Sequence, residues 1–193
     1  MKRILPYALL FIVAAGISCS SPNDEGPGLF APVVTGLRIT SAVGPDQIAV
    51  WGNPGDLPAD GSSSSGVSLS VPYPNPSDGA CTIGYYLPLP GDQEVNLTVA
   101  RARWAGEYSV DLAMARASMG TTPEVNPLLT LDHSQKHPGR YSRTWDARDE
   151  TGKMVPGGFY RIYLKAGDVT LWRDVFIYRS KDEIPADLRA MMP

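Results

Sequence analysis

"TWDARDETGKMVPGGFYRIYL", residues 144–164, sets three acids, three basic residues, three glycines and a proline between aromatic anchors. Two readings compete for it. Asp146, Asp149 and Glu150 fall within five residues, and clustered carboxylate oxygens are what calcium takes as ligands. An EF-hand loop, however, needs alternating ligands, an early glycine and a distal bidentate Glu, and this spacing reproduces none of them. The turn reading accounts for more of the residues. Asp146 and Asp149 bond to nearby backbone amides, Gly152 takes a positive φ, and Pro156 stiffens the approach to the next strand. The stretch is then a joint: Trp145 closes one strand, and Phe159 to Leu164 start another.

On both sides of that joint the apolar residues recur with period two, the signature of half-buried strands. Val67, Leu69 and Val71 alternate with serines, Cys81, Ile83, Tyr85 and Leu87 share one face, and Val95, Leu97 and Val99 alternate with polar residues. Tyr108, Val110, Leu112 and Met114 continue the pattern, while 128–131 and 141–145 show it more weakly. Phe159 to Lys165 pairs with Val169 to Tyr178 across Gly167-Asp168, where the glycine supplies the positive φ of a type II′ turn. Seven or more short strands between Gly, Pro, Asn and Asp turns predict an all-β fold, an antiparallel immunoglobulin-like sandwich over residues 67–180. Residues 111–120, "DLAMARASMG", are rich enough in Ala and Met for a short helix. The tail, residues 181–193, places Pro185 at the first turn of a helix of one or two turns.

The N-terminus reads differently. Lys2 and Arg3 precede an uncharged run from Ile4 to Ile17 and then Ser18 and Cys19. About fourteen residues is short of the roughly twenty needed to span a bilayer, so residues 1–18 read as a signal peptide. "GISC" resembles the lipobox of bacterial lipoproteins, with Gly16 where Leu is usual. The resemblance implies cleavage after Ser18 and acylation of Cys19, an anchor of several chains at about 0.8 kcal/mol per buried methylene. Cys81 is then left without a disulfide partner and reads as a small buried hydrophobe. Residues 19–32 are polar, acidic and turn-rich, the composition of a flexible tether. Residues 33–51 offer a strand pair, Val33 to Thr40 and Gln47 to Trp51, joined at Gly44-Pro45-Asp46. The pair looks like the opening strands of a fibronectin type III domain, and, being marginal alone, leans on the next domain. Residues 52–66 read as a Gly/Pro/Ser linker.

"YPNPSDGACTIGYYLPLPGDQEVNLTV" (73–99) and "GRYSRTWDARDETGKMVPGGFYRIYLKAGDVTLWRDVFIYR" (139–179) together resemble the FlgD-type immunoglobulin-like domain. Such domains close flagellar hook-capping proteins and are closely similar to the C-terminal sorting domains of type IX secretion. The carrying features are Tyr73-Pro74-Asn75-Pro76, Ile83 and Tyr85, Trp145-Asp146, Gly152, and Gly158 before Tyr160. The resemblance implies a non-catalytic sandwich used as adaptor, stalk or sorting signal. Two departures accompany it: an insertion near 100–138, where a surface for a particular partner would lie, and thirteen residues beyond Ser180.

Composition narrows the function further. With 17 Lys and Arg against 20 Asp and Glu, the formal charge is −3, and loss of Lys2 and Arg3 with a signal moves it to about −5. No basic patch calls for nucleic acid. Asp132, His133 and His137 would suit a metal ion on a helix, where two histidines four apart share a face. Pro138-Gly139 follows at once, so the segment reads as a loop and no metal or other cofactor is assigned. No Gly-x-Ser-x-Gly elbow occurs, and the serines lie mostly in linkers, so no enzyme is expected. Trp104, Trp145, Trp172, Tyr160, Tyr163 and Tyr178 raise a sugar-binding face, against the plainer reading that they build the core. The expectation is therefore a lipid-anchored cell-envelope protein, at the bacterial outer membrane. It contacts the membrane through Cys19, and a protein partner in the envelope through its sandwich. Secretion cargo carrying a sorting module, or a carbohydrate-binding module, are the alternatives.

Overall fold

The computed structural model describes residues 31–58, 63–88, 90–106 and 127–192. Cys19, residues 1–18 read as a signal, the strand candidate from Tyr108 to Met114 and the 111–120 stretch lie outside them. Three short strands open the chain: β1 (Val33–Val34), β2 (Gly36–Thr40) and β3 (Gln47–Gly52). The sandwich is made by β4 (Ser68–Leu69), β5 (Cys81–Leu87), β6 (Gln93–Arg101), β8 (Leu129–Lys136), β9 (Gly139–Trp145), β10 (Gly158–Ala166) and β11 (Val169–Ile177). A two-residue strand, β7 (Arg103–Trp104), follows β6.

Of the seven sandwich strands, the first, second and fifth form one sheet, in the order β4-β5-β9. The other four form the second, in the order β11-β10-β6-β8, and every pairing is antiparallel. The chain thus changes sheet after β5, β8 and β9, an immunoglobulin-like arrangement with two sheets packed face to face. Alternation decides which side chains meet between them. Cys81, Ile83, Tyr85 and Leu87 from one sheet face Val95, Leu97, Val99, Tyr160, Ile162, Leu164, Val175 and Ile177 from the other, around the fully buried Trp145. The β10–β11 hairpin turns at Gly167 with φ +55, as the sequence anticipates.

The four-stranded sheet is covered on its outer face as well. There Phe159 and Phe176 point away from the sandwich core and meet Leu37, Ile39 and Trp51 of the β2–β3 hairpin, forming a second apolar cluster. Rings stack through it: Trp104 lies 4.0 Å from Trp51, Trp51 5.7 Å from Phe159, and Phe159 4.7 Å from Phe176. The C-terminal tail completes the layer. A 3-10 turn at Lys181–Glu183 and a single helical turn, α1 (Ala186–Arg189), insert Ile184 and Leu188 into the same cluster. Trp51 Nε1 donates to Asp187 Oδ2 at 2.8 Å.

The 33–51 pair lies as a third layer on the sandwich, where Leu37, Ile39 and Trp51 find apolar partners. Ala31 and Pro32, at the end of the stretch whose composition suggests a tether, are buried. The 52–66 linker contains a 3-10 turn at Pro54–Asp56, capped by the Asn53 side chain, which accepts from Gly55 N at 3.0 Å.

Candidate functional site

The joint at 146–157 owes its shape to one carboxylate. Asp149 Oδ1 accepts from Thr151 N (2.9 Å), Thr151 Oγ1 (2.7 Å) and Lys153 N (3.0 Å), while its backbone closes on Gly152 and Lys153. The Thr151 hydroxyl first, and the two amides after it, hold the Asp149 carboxyl below the usual carboxylate range. Gly152 takes φ +79, and Ala147 a left-handed φ of +55 that the surrounding bonds impose. Asp146 behaves otherwise than expected: it is exposed and pairs with Arg148 Nε at 3.4 Å rather than with an amide. Glu150 is exposed. With Asp149 turned inward onto its own loop and the other two on the surface, the three carboxylates do not converge.

Behind the joint, Trp145 Nε1 donates to Arg148 O (2.8 Å), and the Tyr160 hydroxyl donates to Pro156 O (2.6 Å) four residues upstream. A tyrosine at the start of the sixth sandwich strand, bonded back to the preceding loop, is the corner device of immunoglobulin-like folds. Burial pushes the Tyr160 hydroxyl up to about 12.

Asp132, His133 and His137 are separated by a strand where the sequence reading placed a loop. On β8 consecutive side chains point to opposite faces, so Asp132 turns in and His133 turns out. His133 faces Glu94 Oε1 at 3.7 Å, and His137, just past the strand, pairs with Asp92; both imidazoles are exposed. Asp132 instead closes the flank between the two edge strands β8 and β9. It accepts from Ser134 Oγ (2.6 Å) and Tyr85 OH (3.0 Å) and pairs with Arg143 Nη2 (2.7 Å) and Lys136 Nζ (3.3 Å). Burial pushes its carboxyl upward, but the bonds from Ser134, Tyr85 and Lys136 and the charge on Arg143 outweigh it and hold the group below its ordinary value. Among the described residues, no group of three or more His, Cys, Asp or Glu is arranged to hold a metal ion.

The opposite flank, between β4 and β11, is closed by Arg173, whose Nε donates to Leu69 O at 3.2 Å from inside the sandwich. On the outer face of the same hairpin, Arg161 and Asp174 sit opposite each other in register and are both buried. Their contact is bidentate, Nε to Oδ1 at 2.7 Å and Nη2 to Oδ2 at 2.9 Å, with the guanidinium 3.7 Å from the centre of the Trp172 ring. Burial opposes both charges. The Asp174 carboxylate beside it nevertheless keeps Arg161 firmly protonated. Between the hairpin and the sandwich, Arg38, Arg173 and Asp174 help line a cavity of about 10 Å³, room for one water at most.

Trp145, Tyr160 and Tyr163 are buried, and Trp104, Trp172 and Tyr178 are half-buried. Trp145 meets Tyr160 edge-on at 5.1 Å, Trp104 lies in the outer stack, and one face of Trp172 is taken by Arg161. Cys81 is buried and unpaired, its thiol pushed up to about 12 by burial.

Sequence reasoning missed the most connected polar side chain. Asn75, fully buried, donates through Nδ2 to Arg38 O (2.8 Å) and Asp174 O (3.0 Å) and accepts at Oδ1 from Phe176 N (3.1 Å). Its carboxamide bonds the edge of β11 as a peptide group of a neighbouring strand would. The main chain continues the pairing, with Ser77 N to Phe176 O at 2.8 Å and Tyr178 N to Ser77 O at 2.9 Å. On the other side, Thr40 N donates to Asn75 O (2.9 Å), so one residue joins the hairpin, the loop and the sandwich. The signal was present as an Asn between two prolines, which removes two backbone donors and leaves the amide side chain to supply bonds.

No family model matches the chain, and no curated protein matches it. Among solved structures, it is similar to dimeric latent PorU from Porphyromonas gingivalis, with a TM-score of 0.38 and 14% identity over 63% of this chain. The chain spans 10% of that protein's length.

Proposed function

We propose that the protein is a lipid-anchored component of the cell envelope whose immunoglobulin-like sandwich, of the FlgD-type resemblance, acts in structure or protein interaction without catalysis. The observation that carries this reading is Cys19 itself. It closes a basic-then-apolar stretch and stands only about a dozen residues before Ala31, the first described residue and a buried one. Fully extended, that tether reaches about 40 Å, so an acylated Cys19 keeps the sandwich close to the bilayer. Asp132, Asp149 and Asp174 bond to groups of the fold, as they would in a sandwich used for structure or interaction.

The test is metabolic labelling with a fatty acid, followed by membrane fractionation of the wild type and Cys19→Ser. Label and membrane retention in the wild type, both lost in the variant, are expected. Two unlabelled forms that fractionate alike would remove the anchor. The sorting-module reading rests on the resemblance of residues 73–99 and 139–179 and makes a different demand: residues 67–193, fused to a passenger, would have to direct its export.

A further inference from the structure

The way the tether joins the fold is unusual for so short an element. β1 has two residues and pairs in parallel with β7, a two-residue strand itself. Pairings of that length fray unless something else holds them. Here three consecutive carbonyls are fixed: Pro32 O by Arg103 N (2.8 Å), Val33 O by Arg161 Nη2 (3.0 Å) and Val34 O by Ala105 N (2.9 Å). The middle bond comes from the centre of the four-stranded sheet. Arg161 is itself held by Asp174 and Trp172, so the Val33 carbonyl is tied through one guanidinium to both β10 and β11.

A buried ion pair is poor evidence for stability alone, since well-packed apolar residues often do as well or better. What apolar residues cannot do is bind a main-chain carbonyl. We infer that Pro32–Val34, gripped by β7 and the Arg161–Asp174 pair, is a tension clamp. It passes a pull on the tether directly into the sandwich sheet and shields the β2–β3 hairpin from being peeled off. The inference rests on the anchored reading, because an acylated Cys19 is the source of the pull.

Single-molecule pulling of the mature, unlipidated chain tests it. One handle is attached at Cys19 and the other at Asp168→Cys, in the exposed β10–β11 turn; the buried Cys81 thiol does not compete. In the wild type no early step is expected before the sandwich gives way. In Arg161→Met/Asp174→Leu the pull falls on the hairpin, and release of residues 31–66 precedes sandwich unfolding. That step lengthens the chain by about 120 Å, with a lifetime at constant force at least about tenfold shorter than the wild-type rupture. Trp51→Phe removes the Asp187 bond and weakens the hairpin while leaving the clamp, so it shows no early step. An early step in the wild type or in Trp51→Phe overturns the clamp, as does its absence in the folded double variant. Lack of lipid on Cys19 would overturn the anchored reading and not the clamp, because the pulling uses the unlipidated chain.

Discussion

Replacing Asn75 with Ala removes a side chain that no neighbour can substitute. The substitution leaves three backbone groups, Arg38 O, Asp174 O and Phe176 N, without the bonds they now make at 2.8, 3.0 and 3.1 Å. Each such bond contributes about 1 kcal/mol net, and each buried group left unsatisfied costs about 1–3 kcal/mol. Asn75 is fully buried, so three groups together put the loss at roughly 3–9 kcal/mol. With a urea slope of about 2 kcal/mol/M, a loss of about 4 kcal/mol lowers the denaturation midpoint by about 2 M at constant slope. Equilibrium urea unfolding followed by tryptophan fluorescence reads this directly. Asn75→Asp sharpens the comparison: it keeps an acceptor for Phe176 N, loses both donations and buries a charge, so it is at least as unstable as the alanine variant. A midpoint shift below about 0.5 M for Asn75→Ala, or an aspartate variant as stable as the wild type, would refute the view that the carboxamide stands in for a strand.

Two further outcomes are expected. The folded-state pKa of Asp132 lies below its unfolded value, so its contribution is complete above the unfolded pKa near 4 and lost as the pH falls through the folded value. Asp132→Asn should cost about 1–3 kcal/mol at pH 7 and flatten the acid limb of a stability–pH profile, and an unchanged acid limb would show that the flank does not depend on that charge. Asp149→Ala should open the 146–157 joint, seen as faster amide exchange at Thr151 and Lys153, and millimolar calcium should leave the wild-type melting temperature where it was. A calcium-dependent rise abolished in Asp149→Ala would restore the ion-binding reading of that loop.

The sandwich strands were legible because their physics is local. Alternation in 81–87, 95–99 and 159–165 reports which side faces a core, and the same register appears in the structure. The joint at 146–157 was legible for the same reason, since Asp149 bonds to residues two and four positions away. That the 33–51 hairpin leans on the next domain was legible, but the face it covers was not, because Trp51, Phe159, Phe176 and Leu188 have no periodic relation to one another and meet only through tertiary packing. Nor was the Arg161–Asp174 pair. Charged residues alternating with apolar ones on a hairpin read as a solvated face, and only the third layer above them turns that face into an interior. The 132–137 segment was misread differently: Pro138-Gly139 made it read as a loop, whereas Leu129–Lys136 is a strand that separates neighbours such as Asp132 and His133 onto opposite faces.

Sandwiches end in strands whose outer backbone groups invite pairing by other chains. On this molecule β8 and β9 carry Lys136, Arg140 and Arg143 along their length, and charges of that kind discourage a foreign strand from stacking alongside. β11 is apolar over Val175–Ile177 and would be the most hazardous edge, yet Asn75 and Ser77 already occupy its bonding groups from Asp174 to Tyr178. The loop at 75–77 therefore acts as a built-in chain terminator. Losing it would expose a sticky edge, so a variant at Asn75 should fail by forming fibrous aggregates as well as by unfolding.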